Sequence, residues 1–192
     1  PTDAQVIGAV QRAGADGDIV VCAAGGLPGE LHKLWNVRAS GTYHLEYGYS
    51  CMGYEIAGGL GVKMARPEAE VIVMVGDGSY LMMNSEIATS VLLGQKLVIV
   101  VLDNRGFGCI TRLQQACGLE PFNNLIEHTR HAALPEIDFT AHARSLGAHA
   151  EKVATLAGLE AALARARNLD RTAVIVIETD PMRSTDAGGH WW

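Results

Sequence analysis

Val71-Ile72-Val73-Met74-Val75-Gly76-Asp77-Gly78-Ser79 and Leu97-Val98-Ile99-Val100-Val101-Leu102-Asp103-Asn104 are the two stretches that decide how this chain folds. Each is an unbroken apolar, β-branched run, the composition of a strand covered on both faces. Each closes on an oxygen donor, the carboxylate of Asp77 or the side-chain amide of Asn104. If the two are parallel neighbours joined by the intervening helix, their C-terminal ends share the sheet edge where open α/β folds bind ligands. A carboxylate and an amide oxygen suit a hard cation such as Mg²⁺, which keeps phosphate oxygens and water in its octahedron. Gly78 lets a phosphate rest against the backbone, and Gly106 can turn its carbonyl inward without a side-chain clash. The expectation is a site for a cation and a diphosphate, with Asp77, Asn104 and the Gly106 carbonyl as metal ligands.

Around it the chain alternates between strands and helices. A helix is predicted over Asp3 to Ala13, capped by Thr2 or Asp3, then a strand over Ile19 to Ala23 and a helix over Glu30 to Trp35. A helix rich in small residues runs from Met52 to Met64, and another covers about Met83 to Leu93. After a long segment from Gly106 to Pro135 come a helix over Asp138 to Leu146, a strand over His149 to Val153, a helix over Leu156 to Asn168 and a last strand over Ala173 to Glu178. This order specifies a doubly wound, mostly parallel sheet with helices on both faces, and residues 1–192 read as a single domain.

The start of the turn after Asp77 is favourable for an anion, because Gly78 and Ser79 offer backbone N–H groups, and Ser79 its hydroxyl, at a positive dipole end. Gly25-Gly26-Leu27 also lies between a strand and a helix and makes a second phosphate lip. His32, one turn into that helix, could donate to a phosphate, though a capping or packing role fits it equally well. His44, His128, His131, His142, His149 and His190 show no ligand spacing and are assigned to solvent or local hydrogen bonds.

The 192 residues carry a formal net charge of −6, with Lys and Arg scattered rather than striped, which argues against nucleic acid and anionic membranes as partners. No apolar stretch approaches bilayer length, and we expect a cytosolic protein. Cys22, Cys51, Cys109 and Cys117 form no Cys-x-x-Cys and read as reduced thiols. The start at Pro1 and the abrupt apolar end at Trp191-Trp192 lead us to expect a piece of a longer protein.

Gly76-Asp77-Gly78, followed by Asp103-Asn104 at the end of the next strand, resembles the motif of thiamine diphosphate (ThDP) enzymes. Asp103 stands where that family usually has a first Asn; the family's ligand is the second residue, so Asn104 keeps the role. The resemblance implies that Ser50-Cys51-Met52-Gly53 lies beneath the cofactor. There Met52 is the apolar wedge that bends it and the Ser50 carbonyl accepts from the pyrimidine amino group, with Phe107 also at the cofactor. Ala24 to Trp35, Gly76 to Ile87 and the closing Gly188-Gly189-His190-Trp191-Trp192 are similar to trihydroxycyclohexanedione hydrolases of myo-inositol catabolism, within the acetolactate synthase-like enzymes. That resemblance covers only their last, diphosphate-binding domain.

It implies ThDP and Mg²⁺ as cofactors, a small polyhydroxylated dione as substrate, and hydrolytic cleavage between its two carbonyl carbons to a deoxy-glucuronate. It also implies a homo-oligomer in which the pyrimidine-binding domain of a partner subunit supplies the activating glutamate. Gln114, Gln115, Glu120, Asn123, Asn124, Arg130 and His131 are polar groups that could read the hydroxyls of a cyclitol, or could simply face solvent. Two other readings stay open: the diphosphate-binding subunit of a two-chain α-keto acid decarboxylase, and a non-catalytic nucleotide- or phosphate-binding module. Against the latter stands the absence of Gly-x-x-x-x-Gly-Lys and of a well-placed Gly-x-Gly-x-x-Gly.

Overall fold

The β-branched runs pair side by side. The structure, a computed structural model, describes residues 1–185, and the closing Gly188 to Trp192 motif, with His190, lies outside the described residues. Six strands form one sheet: β1 (Ile19–Cys22), β2 (Tyr43–Leu45), β3 (Val71–Gly76), β4 (Val98–Asp103), β5 (His149–Val153) and β6 (Ala173–Glu178). Their order is β2-β1-β3-β4-β6-β5, and every pairing is parallel. The sheet expected to be mostly parallel is thus wholly so among the described residues. From β1 the chain steps to β2 on one side, while β3 lies on the other. The crevice at the C-terminal ends of β1 and β3 is therefore the topological switch point, where such sheets take their ligands. Register sets the rest: Val75 lies opposite Val101 and Gly76 opposite Leu102, so Asp77 and Asp103-Asn104 emerge together.

Alternate residues of the buried strands feed two cores. Val20, Ile72, Met74, Val100 and Ile175 face α1 (Asp3–Ala13), α2 (Leu27–Leu34) and α8 (Leu156–Arg167). Val21, Val73, Val75, Ile99 and Val176 face α3 (Tyr54–Ala65), α5 (Glu86–Leu92) and α7 (Phe139–Ser145). The small residues of α3 act as expected: a Cβ on Gly59 would lie 2.4 Å from Val73 Cγ2, so the helix seats directly on β3. α1 begins with a capping box, Thr2 Oγ1 accepting from the Gln5 N–H while the Gln5 side chain accepts from the Thr2 N–H.

Three elements depart from the expectations. The helix expected over about Met83 to Leu93 is α5, which starts later, and a separate helix, α4 (Asp77–Met82), precedes it, ended where the Asn84 side chain donates to the Tyr80 carbonyl. α6 (Gly108–Ala116) occupies part of the segment read as loop. The edge strand β2 pairs only with β1 and, half-buried along its length, leaves no apolar run to read. No helix among the described residues is long and apolar enough to cross a membrane.

Candidate active site

A cavity of about 300 Å³ opens at the switch point, against the ends of β1, β3 and β4. Of the residues expected from sequence to hold a cofactor, all but His32 line it: Gly25, Gly26 and Leu27 from the first lip, Ser50 and Met52, Gly76 to Ser79, and Asn104, Gly106 and Phe107. His32 is exposed and does not contribute to the wall. The N-terminal ends of α2 and α6 both open onto the cavity, through Gly26-Leu27 and through Gly108-Cys109. Unpaired helical N–H groups and two positive dipole ends thus face the same space.

Asp77 dominates the electrostatics. It is 2% exposed, its Oδ2 accepts from the Gly106 N–H at 2.7 Å, and its Oδ1 is buried without a hydrogen-bond partner. Burial pushes its carboxyl up to about 7, and the charge of Asp103 alongside adds to the rise. An orphaned carboxylate oxygen at a cavity wall leaves an acceptor open to a donor or a cation. Asn104 Oδ1 accepts only a long contact, 3.4 Å, from the Gly108 N–H. Gly106 sits at φ +141°, and a Cβ there would fall 2.3 Å from the Asn124 carbonyl, so no other residue fits the turn. The Phe107 N–H to Asn124 carbonyl bond (2.8 Å) and the Ile126 N–H to Arg105 carbonyl bond (2.9 Å) fix that turn on both sides. No group of three or more His, Cys, Asp or Glu among the described residues could hold a metal. A donor set of one carboxylate, one amide and one carbonyl suits a hard cation that takes its remaining ligands from phosphate and water.

Two details of the phosphate side correct the sequence reading. A Cβ on Gly78 would lie 2.6 Å from Phe107 Cε1, so what this glycine makes room for is the Phe107 ring. Ser79 Oγ donates to the Glu55 carboxylate at 2.7 Å from Oε2, and accepts from the Gly53 N–H at 2.7 Å. Its proton is committed inward and is not offered to a diphosphate.

Glu55, a residue with no motif around it in the sequence, ties the site together. It is fully buried, and its carboxylate accepts from the Ala24 N–H (3.2 Å), the Gly53 N–H (3.1 Å) and the Ser79 hydroxyl. These are the stem of the first phosphate lip, the turn behind Met52, and the turn after Asp77. Desolvation raises the Glu55 carboxyl above the ordinary range, and the hydrogen bonds from Ser79 and the backbone partly offset the rise.

Glu46 does similar work on the surface, accepting from the Tyr49 N–H (3.0 Å) and the Cys51 N–H (2.8 Å). Between them Ser50 is held at φ +50°, a left-handed conformation uncommon outside glycine. Met52, next along, is 37% exposed, belongs to neither core and lines the cavity.

The segment from 112 to 135 loses several of its candidate substrate contacts. Gln114 Oε1 accepts from Asn124 Nδ2 (2.6 Å) and from the Phe122 N–H (3.0 Å), so both amides brace the Gly106 turn. His131 Nδ1 pairs with the Thr129 carbonyl, and His44 and His142 pair with Tyr54 and Tyr80. Arg112 and Asp3 line the cavity although neither was among the residues expected there.

Comparison with known proteins agrees with this geometry. Residues 23–177 match the family model described as "Thiamine pyrophosphate enzyme, C-terminal TPP binding domain". Over 197 aligned residues, covering all of this chain, it is 42% identical to a 3D-(3,5/4)-trihydroxycyclohexane-1,2-dione hydrolase of Geobacillus thermodenitrificans (strain NG80-2). It is also 42% identical to 3D-(3,5/4)-trihydroxycyclohexane-1,2-dione hydrolase 2 of Bacillus cereus. The chain spans 31% of the length of each of these relatives. Among solved structures, the Rhodococcus jostii RHA1 thiamine diphosphate-dependent 4-hydroxybenzoylformate decarboxylase superposes with a TM-score of 0.82 at 21% identity, covering 93% of this chain and 32% of that one. At that identity the superposition speaks for the fold alone. Strand order, the cavity at the switch point and the match over residues 23–177 lead to one assignment: this chain belongs to the family of C-terminal thiamine diphosphate-binding domains of ThDP enzymes.

Proposed function

We propose that this domain holds ThDP through Mg²⁺ bound by Asp77, Asn104 and the Gly106 carbonyl, as part of an enzyme that hydrolytically cleaves the bond between the two carbonyl carbons of a cyclic polyhydroxylated dione. The observation that carries the metal assignment is the buried Asp77 Oδ1, with no hydrogen-bond partner among the described residues, at the end of β3 beside two oxygen donors in the loop that leaves the neighbouring parallel strand β4. The substrate class rests on the names of relatives 42% identical to this chain along its whole length.

ThDP, when bound, supplies a nucleophilic carbon and an electron sink for carbon–carbon cleavage. This chain's residues bind and orient it. Asp77, Asn104 and Gly106 fix the metal, the N–H groups at the starts of α2 and α6 face the diphosphate, and Met52 stands as the wedge that sets ring orientation. No glutamate of the described chain lines the cavity, and Glu55 is spent on its own three donors. We assign the carboxylate that activates the pyrimidine to the pyrimidine-binding domain of a partner subunit, in a homo-oligomer of the cytoplasm.

Incubating the complete enzyme with trihydroxycyclohexane-1,2-dione, ThDP and Mg²⁺ tests this reading. The expected product is the ring-opened acid, and stripping Mg²⁺ with a chelator should abolish both product formation and ThDP binding measured by calorimetry. Turnover of a 2-keto acid to carbon dioxide, with the dione untouched, would replace the hydrolase by a decarboxylase.

Because Met52 is outside the cores, Met52→Ala should leave the melting temperature nearly unchanged. Turnover should fall far more than ThDP affinity, since the diphosphate and metal supply most of the anchoring. Equal losses in both would reduce Met52 to ordinary packing against the ligand.

A further inference from the structure

Arg112 is the one cationic residue among those lining the cavity, and it stands over the first phosphate lip. Its Nη1 donates to the Pro181 carbonyl at 2.6 Å, which ties the guanidinium down on one side. Its Nη2 lies over Gly26 in the first phosphate lip, only 2.5 Å from where a Cβ on that residue would be. Cys109, in the first turn of α6, touches the same spot, its Cβ 3.4 Å from that point. The free edge of the guanidinium is thus set between the N-terminal ends of α2 and α6.

A second buried polar group shares this end of the cavity. Asp3 is 5% exposed, lines the wall, and its Oδ1 has no hydrogen-bond partner. Two dipole ends and a guanidinium edge with no hydrogen bond among the described residues make a pocket suited to a polyanion with several oxygens.

Resting on the ThDP reading above, we propose that Arg112 is a diphosphate-binding residue that takes the terminal phosphate over the Gly26 lip, in addition to the metal held at Asp77. The terminal phosphate carries the greater charge, and a planar guanidinium matches its paired oxygens better than an ammonium would. Burial raises the Asp3 carboxyl, offset in part by Thr179 and Arg112.

The test is calorimetry of the complete enzyme with Mg²⁺, comparing ThDP with thiamine monophosphate, for wild type, Arg112→Ala and Arg112→Gln. Gln keeps a donor for the Pro181 carbonyl and most of the stem, so at least one variant should melt like wild type. In the folded variants ThDP affinity should drop at least ~10-fold, the scale of a charge-assisted hydrogen bond. Thiamine monophosphate affinity should change far less, so the preference for the diphosphate collapses. Gly26→Ala, which pushes the guanidinium aside without deleting it, should shift the preference in the same direction. Unchanged ThDP affinity in a folded Arg112 variant, or equal losses for both ligands, overturns the assignment of Arg112 alone. A wild type that binds no ThDP with Mg²⁺ would instead bring down the functional reading on which it rests.

Discussion

Asp77→Asn should make the metal-free protein more stable at pH 8 while weakening Mg²⁺-dependent ThDP binding at least ~10-fold, about 1.4 kcal/mol or more. The two effects have one cause. Asp77 is buried, its Oδ1 lacks a partner, and its carboxyl is pushed from an ordinary 3.8 up to about 7. A carboxyl whose folded value lies above its unfolded one contributes stability that is complete below the unfolded value and is lost as pH rises through the folded value. Between pH 4 and 7 the metal-free protein should therefore lose up to about 4 kcal/mol through this group, at about 1.4 kcal/mol per pH unit. Asn carries no proton to lose, so thermal melts of wild type and Asp77→Asn should converge at pH 4 and diverge at pH 8, with the variant melting higher. In wild type, protons compete with Mg²⁺ below pH 7, and metal affinity should fall about tenfold per pH unit. A variant less stable than wild type at pH 8 would show that Asp77 is a structural carboxylate rather than a strained metal ligand.

The largest loss of stability is expected at Glu55. Replacing it by Ala leaves the Ala24 N–H and the Ser79 hydroxyl without an acceptor, and the Gly53 N–H with only Ser79, inside a fully buried space. Each unsatisfied buried donor costs roughly 1–3 kcal/mol and the emptied volume adds to that, so a total of at least ~3 kcal/mol is expected. Glu55→Gln keeps an acceptor, and the Ser79 hydroxyl can turn to accept from the amide; its cost should stay within about 1 kcal/mol. Denaturant melts of the pair separate hydrogen bonding from mere volume. Similar losses for Ala and Gln would mean that the negative charge, not the acceptor geometry, is what the fold requires.

The contrast between these two acids shows what a linear reading can reach. Asp77 was legible because it ends an unmistakable buried strand, and the parallel register then puts it beside Asn104 without further assumptions. β6 and α1 fall where their patterns place them, since β6 is an unbroken apolar run buried up to its last residue and α1 carries a capping box. Glu55 looked like one more polar residue on a helix; its value lies in three donors supplied by Ala24, Gly53 and Ser79, a convergence no local window contains. α6 was hidden for another reason. It starts on Gly108, directly after Gly106-Phe107, a glycine-rich stretch that reads as a loop, and its polar face resembles an exposed segment. Asp3 and Arg112 meet across most of the sequence, and only the closed fold brings both to one cavity wall.

The Glu55 carboxylate also governs how this domain can be altered. Because one buried group joins the backbone at Ala24, the backbone at Gly53 and the side chain of Ser79, the three loops behave as a single casting. Transplanting the Met52 turn alone from another ThDP enzyme would displace the Gly53 N–H from the Glu55 carboxylate wherever the new turn differs in shape, and the disturbance would surface at the phosphate lip and behind Asp77. Recombination between relatives should therefore tolerate crossovers that move all three loops with position 55 and reject those that separate them, whatever the overall identity of the parents.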